Sequence, residues 1–146
     1  MVFKNEKQLK SFVLTKCKNA LLKSQEKVYK IIDLYLQRFY AGYDPVWYDR
    51  TYQLLHSLVK SDIRSTGNGY EAYVYFDFNS LGYTTGSQPS GKQVMDAAAY
   101  GGHGAQGLKV VYAGGGDIWF TPKEILDAEA IEILKGMLIA EGIPIK

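Results

Sequence analysis

Apolar residues recur at three- and four-residue steps through the first part of the chain, which is the period of a helix with one buried side. No Gly or Pro interrupts this pattern before Gly42, where Gly42 and Pro45 supply stop signals. The pattern predicts a helix over 4–41, roughly 55 Å long. Because a domain of this size has a radius of gyration near ~15 Å, the helix must kink or project, and we favour projection onto a neighbouring chain. Its predicted buried stripe is Leu9, Phe12, Val13, Cys17, Ala20, Leu21, Val28, Ile31, Ile32, Tyr35 and Phe39.

The next segment predicts a short helix followed by a β-hairpin. Leucines at helical spacing favour a helix over 46–58. Alternating residues then predict a hairpin over 59–78, whose turn is Thr66-Gly67-Asn68-Gly69. On its second strand the predicted inward residues are Ala72, Val74, Phe76 and Phe78, and the predicted outward residues are Glu71, Tyr73, Tyr75 and Asp77.

The remaining residues predict a long loop, short strands and a final helix. Seven glycines favour a flexible loop over 79–107, apart from a short helix near 93–100, and short strands are predicted over 108–120. A capping box at Thr121-Pro122-Lys123-Glu124 opens a helix over 122–141. These elements predict one α+β domain over 1–146, in which a long N-terminal helix and a C-terminal helix pack on a small, mostly antiparallel sheet with a long Gly-rich loop. The final helix should bury Ile125, Leu126, Ala130, Ile133, Leu134, Met137 and Leu138.

Composition narrows the classes of protein. Hydrophobic residues make up 47% of the 146 positions, which is enough for a core. The single cysteine, Cys17, excludes an internal disulfide, and two histidines leave little for a metal centre. We therefore predict no metal and no cofactor. Neither a signal-peptide apolar run nor a membrane span is visible, so no membrane partner is expected.

Charge is divided unevenly along the chain. Residues 1–40 hold nine Lys/Arg against three acidic residues, and the other residues hold eight against twelve, so the net +2 is the sum of +6 and −4. Lys16, Lys23, Lys27 and Lys30 fall in one sector of roughly 60° on the helix. This lysine stripe could contact phosphates or an acidic partner, or it could be a solvated helix face.

Candidate catalytic residues are sparse. Gly102-His103-Gly104-Ala105-Gln106-Gly107 matches G-x-G-x-x-G, but the strand and helix that a dinucleotide site needs are not predicted around it. His103 has no visible catalytic partner, and His56 is interpreted as a partly buried structural residue. We expect no enzyme activity and no small-molecule substrate.

The outward tyrosines suggest a contact surface instead. Tyr73 and Tyr75 could stack on bases, yet Glu71 and Asp77 on the same face would repel a phosphate backbone. An aromatic sheet face is more often covered by a helix or by another subunit. The candidate assembly interface therefore comprises Lys16, Lys23, Lys27, Lys30, Tyr73, Tyr75 and His103.

The order of these elements resembles a known family. A lysine-rich helix precedes Tyr43-Asp44-Pro45-x-x-Tyr48-x-Arg50-Thr51-x-x-Leu54-Leu55-x-Ser57-Leu58, and an alternating strand ends in Tyr75-Phe76-Asp77. Gly101-Gly102-His103-Gly104 and Ile118-Trp119 follow, and the last helix contains Asp127-x-x-Ala130-Ile131-x-Ile133-Leu134 before Glu141-Gly142-Ile143-Pro144. Over nearly the whole chain this is similar to the small tail-component or neck proteins of long-tailed bacteriophages and prophages.

The resemblance implies a non-enzymatic virion protein at the head–tail junction, made in the host bacterial cytoplasm. Such proteins form rings between the head connector and the tail tube, so the implied partners are further copies of the chain and neighbouring connector or tail-tube proteins. Nucleic acid would meet the protein only by passing through the ring. The alternative is a small nucleic-acid-binding module that uses the basic N-terminal helix, with binding that weakens strongly as salt rises.

Overall fold

A computed structural model describes residues 2–41, 52–81, 91, 95 and 120–145. Their order along the chain is helix, hairpin, helix. The elements are α1 (Glu6–Ala41), α2 (Gln53–His56), β1 (Leu58–Lys60), β2 (Arg64–Ser65), β3 (Tyr70–Glu71), β4 (Val74–Phe76), a 3-10 helix (Phe78–Ser80) and α3 (Phe120–Ala140). The predicted α+β class is confirmed.

The 36-residue helix α1 is the element on which the others pack. Asn5 caps its start, since the Asn5 Oδ1 accepts a hydrogen bond from the Gln8 N–H at 2.9 Å. The side chains of residues 4–11 are all exposed, so this end of α1 projects from the packed part of the chain. Leu9, predicted to be buried, is exposed because it lies in that projecting turn. Leu36, which the predicted stripe omits, is fully buried.

The strands form one hairpin with two antiparallel ladders. In β1 and β4, Leu58 pairs with Phe76 and Lys60 with Val74. In β2 and β3, Arg64 pairs with Glu71. Three residues, 61–63, therefore face two residues, 72–73, which is the geometry of a β-bulge. The turn at Thr66–Gly69 is closed by a hydrogen bond from Thr66 N–H to the Gly69 carbonyl, and Gly67 adopts a φ of 73°.

The hydrophobic core lies between the second half of α1, α2 and the β1–β4 ladder. Leu126 of α3 packs against this core, while Glu141, just beyond α3, contacts α1 near Lys16 and Lys23. Helices α1 and α3 are therefore antiparallel. The buried core residues are Ile32, Leu36, Leu54, Leu58, Phe76, Leu81 and Met95.

Two predicted elements differ at their ends. The helix predicted over 46–58 is helical only at Gln53–His56 among its described residues, and Leu58 begins a strand. Tyr52 has a φ of 55°, a left-handed conformation that a continuous helix does not pass through. Phe78, predicted to face the core, is exposed because the Asp77 side chain caps the 3-10 helix and turns the chain out of the strand.

The C-terminal helix also differs from its prediction, in where it begins and in which residues it buries. Phe120, predicted to end a strand, is the first residue of α3, and Ala130, predicted to be buried, is exposed. Most of the predicted loop 79–107 and of the strands 108–120 lies outside the described residues. Of the described positions of that loop, residues 79 and 80 lie in the 3-10 helix and Leu81 is in the core, so the loop prediction is wrong there. Gly91 is buried and helical, and Met95, within the short helix predicted near 93–100, is helical and in the core.

Candidate assembly surface

The outward face of the hairpin carries two exposed tyrosines. Tyr73 is 52% exposed and Tyr75 is 49% exposed, whereas Phe76 between the sheet and α1 is buried. The Tyr73 hydroxyl donates a hydrogen bond to the Glu71 carboxylate at 3.0 Å. This hydrogen bond, with the negative charge of Glu71, raises the pKa of Tyr73 above its usual value. Tyr73 is therefore held as a neutral donor at an exposed position.

A buried glutamine of α1 fixes the backbone beneath these tyrosines. Gln25 Nε2 donates to the Ser61 carbonyl at 2.9 Å and to the Tyr73 carbonyl at 2.8 Å, at the point where the bulge interrupts the ladder. The Tyr73 N–H donates to Ser61 Oγ at 2.8 Å, in place of a ladder bond. The amide of Gln25 thus gives the Ser61 carbonyl a donor and gives the Tyr73 carbonyl a second donor beside the Ser61 N–H. The hairpin backbone at Tyr73 is therefore anchored to α1.

The lysine stripe divides between internal pairing and exposure. Lys23 forms an ion pair with Glu141, and Lys16 Nζ lies 3.5 Å from the same carboxylate. Asn19 Nδ2 also lies 3.5 Å from it. The hydrogen bond from Lys23, followed by that from Asn19, holds the pKa of Glu141 below its usual value. Half of the predicted stripe therefore secures α3 to α1.

The other half of the stripe is more open. Lys30 Nζ lies 3.6 Å from Glu26, which also pairs with Lys60 of β1, and these contacts lower the pKa of Glu26. Lys60 Nζ lies 4.8 Å from the Tyr29 ring centroid. Lys27 is exposed and has no ion-pair partner among the described residues. Only part of the stripe is thus free to meet a partner.

The predicted chemistry outside this surface is limited. His103 lies outside the described residues, and His56, interpreted from the sequence as partly buried, is exposed. The described part of the chain brings together no group of three His, Cys, Asp or Glu side chains that could hold a metal ion. No helix there combines the length and apolar character that a membrane crossing requires.

Besides Gln25, sequence reasoning missed Glu141 and the outer side of α3. Glu141 carries a detectable signal, since an acidic residue directly before a Gly stop opposes the dipole at a helix C-terminus and so calls for a cationic partner. The second feature is the outer side of α3, where Ile131 and Ile139 are exposed. The predicted buried stripe of this helix contains neither residue, and the sequence pattern assigns them no contact.

Comparison with known proteins identifies the family of the chain. The sequence model of the YomN family matches residues 5–124, which is most of the chain. The chain belongs to the YomN family. YomN is the name of a protein derived from a Bacillus phage or prophage, and the chain is accordingly phage-related. No curated protein and no solved structure gives a significant match.

Proposed function

We propose that this YomN-family chain is a structural virion protein of the phage head–tail junction. It acts in the neck or in tail completion, assembles as a ring between the head connector and the tail tube, and has no enzyme activity. Its partners are further copies of itself and the neighbouring connector and tail-tube proteins. Membership of a phage-derived family supports the virion setting.

The observation that carries the proposal is the tyrosine face of the hairpin. Tyr73 and Tyr75 are both about half exposed, on a strand whose backbone is fixed from behind by Gln25. Tyrosine supplies large contact area at low entropic cost and is enriched in protein interfaces. A rigid, exposed pair of tyrosines is therefore suited to a permanent protein contact.

The charge distribution favours a protein partner over nucleic acid. Lys16 and Lys23 share the single carboxylate of Glu141, and Lys30 shares the carboxylate of Glu26 with Lys60. Phosphate binding depends on basic groups that are free to replace counterions. Three of the four stripe lysines lie next to carboxylates, so a phosphate would have to compete for them, and Lys27 is the stripe lysine without an ion pair among the described residues.

Assembly can be measured directly with the purified chain. Native mass spectrometry of the chain alone and with the tail-tube protein should show a closed oligomer or a complex. Tyr73→Ser/Tyr75→Ser should abolish the complex while leaving the circular dichroism spectrum unchanged. Leu22→Ser, an equally exposed apolar site on α1, is the matched control. A complex that forms equally well with the double variant would contradict the proposal.

The biological role needs a genetic test. Deleting the gene from the phage genome should yield filled heads and free tails that do not join, as seen by electron microscopy, and a plasmid copy should restore joined particles. Normally joined particles in the deletion strain would exclude the junction role. Binding of DNA that weakens with salt, at protein concentrations where no oligomer forms, would instead support the nucleic-acid alternative.

A further inference from the structure

We propose that the projecting end of α1 docks on the outer side of α3 of a second copy of the chain. The projecting end is residues 2–11, and the outer side of α3 is the surface that contains Ile131 and Ile139. This inference rests on the proposed ring assembly and names the contact that joins its subunits. This contact does not use the tyrosine face, which stays available to bind a different protein of the assembly.

The projecting end is both apolar and basic. Val2 is 93% exposed, and Leu9 is also exposed. The Phe3 and Phe12 rings lie 5.2 Å apart, so the residues before the helix are ordered against it. The segment holds three lysines, Lys4, Lys7 and Lys10, and one acidic residue, Glu6, for a net charge of +2. Nothing in the described part of the chain covers it.

The outer side of α3 has the complementary character. Ile131 is 69% exposed and Ile139 is 57% exposed, and helix spacing places both away from the side of the buried Ile133. The same spacing places Glu124, Asp127, Glu132 and Lys135 on the side of Ile131 and Ile139, for a net charge of −2, whereas Glu129 lies on the other side. Asp127 and Glu132 pair with Lys123 and Lys135, which leaves Glu124 without an ion pair among the described residues.

The two surfaces match in apolar content and oppose in charge, as interacting surfaces do. They cannot meet within one chain. Glu141 lies against α1 near residue 19, so Ile131, ten residues earlier on the antiparallel helix, lies beside residue 29 or so of α1. Leu9 is then about 30 Å away along the helix axis. The contact therefore requires a second copy, and because the two surfaces differ, it is heterologous and can close a ring.

Cysteine cross-linking between separately purified variants tests the contact. Leu9→Cys and Ile131→Cys are each made in a Cys17→Ser background, mixed, and treated with a short bismaleimide. We expect a cross-linked dimer from this mixture and not from Leu22→Cys mixed with Ile131→Cys, which offers an equally exposed site outside the projecting end. Equal yields from the two mixtures, or a chain that stays monomeric in sedimentation, would overturn the inference.

Charge exchange provides a second measurement on the full chain. Lys7→Glu/Lys10→Glu should weaken self-association about tenfold, as should Glu124→Lys/Glu132→Lys, and mixing the two variants should restore it. Lys18→Glu, an exposed lysine beyond the projecting end, is the control. Oligomers unaffected by both reversals would refute this contact and leave the junction role standing, whereas joined virions without the gene would refute the junction role alone.

Discussion

Lys23 of α1 forms an ion pair with Glu141, the residue that directly follows the last turn of α3. The Glu141 side chain is only 8% exposed and lies where the negative end of the helix dipole disfavours a carboxylate. Gly142, with a φ of 85°, ends the helix there through hydrogen bonds to the Ile139 and Leu138 carbonyls from its own N–H and that of Ile143. Lys23, with Lys16 and Asn19, offsets the unfavourable site and secures the helix end.

Replacing Glu141 by Gln should destabilise the chain at neutral pH and not in acid. Because the folded state lowers the pKa of Glu141, its contribution is complete above the usual value of 4.5 and is lost as the pH falls through the lower folded-state pKa. Urea unfolding at pH 7 should therefore separate wild type from Glu141→Gln, and the gap should close as the pH falls below the lowered folded-state pKa of Glu141.

The matched control for this titration is Glu129→Gln, which removes an exposed carboxylate that has no ion pair among the described residues. It should unfold like the wild type at both pH values. Glu26 has a lowered pKa too, and it loses its contribution in acid in wild type and variant alike. A Glu141→Gln chain as stable as wild type at pH 7 would show that the contact contributes nothing.

Removing the buried amide of Gln25 should loosen the hairpin. Gln25→Leu keeps most of the side-chain volume but leaves the Ser61 carbonyl without its donor, while the Tyr73 carbonyl keeps the Ser61 N–H. The expected cost is about 1–3 kcal/mol in the free energy of unfolding, measured with urea. Gln37→Leu, on the exposed side of α1, should change it by less than about 0.5 kcal/mol. Equal effects of the two variants would refute the supporting role of Gln25.

How far the sequence determines this fold is clear from α1 and the hairpin. Unbroken helical periodicity over 4–41 anticipates α1, and turn chemistry at Gly67 anticipates the reversal between β2 and β3. Both are local signals, since each depends on residues a few positions apart. The β-bulge at residues 61–63 has no local sequence signal. Gln25, which is distant in sequence, fixes it through a hydrogen bond to the Ser61 carbonyl.

In the candidate surface, too, the features set by local sequence were predicted and those set by distant contacts were not. Alternation placed Tyr73 and Tyr75 outward, as the structure does, because side chains of a strand alternate whatever it packs against. The pairing of Lys16 and Lys23 with Glu141 depends on how α3 lies on α1, and helix spacing alone does not contain that information. Gln25 was missed because its side chain is polar, although the hydrogen bonds it makes are the reason it is buried.

The core is expected to depend most strongly on Leu36. This side chain is fully buried among Ile32, Leu54 and Phe76, so Leu36→Ala should cost about 2–5 kcal/mol in the free energy of unfolding. Leu34→Ala removes the same atoms from an exposed position two residues away and should cost far less. Urea unfolding followed by circular dichroism measures both. Similar costs at the two sites would mean that the core is not where the structure puts it.

Gly91 is held at a close approach that no other residue can occupy. A Cβ added at this buried helical glycine would lie 2.2 Å from the Phe78 carbonyl oxygen, so Gly91→Ala forces the backbone apart and should cost ~1–3 kcal/mol. Gly136, inside α3, has open space at the same atom, and Gly136→Ala should stabilise the chain by about 0.5–1 kcal/mol through helix propensity. Thermal unfolding of both variants beside the wild type gives opposite shifts. If Gly91→Ala proved as stable as Gly136→Ala, the helical segment at residue 91 would not pack on the 3-10 helix as described.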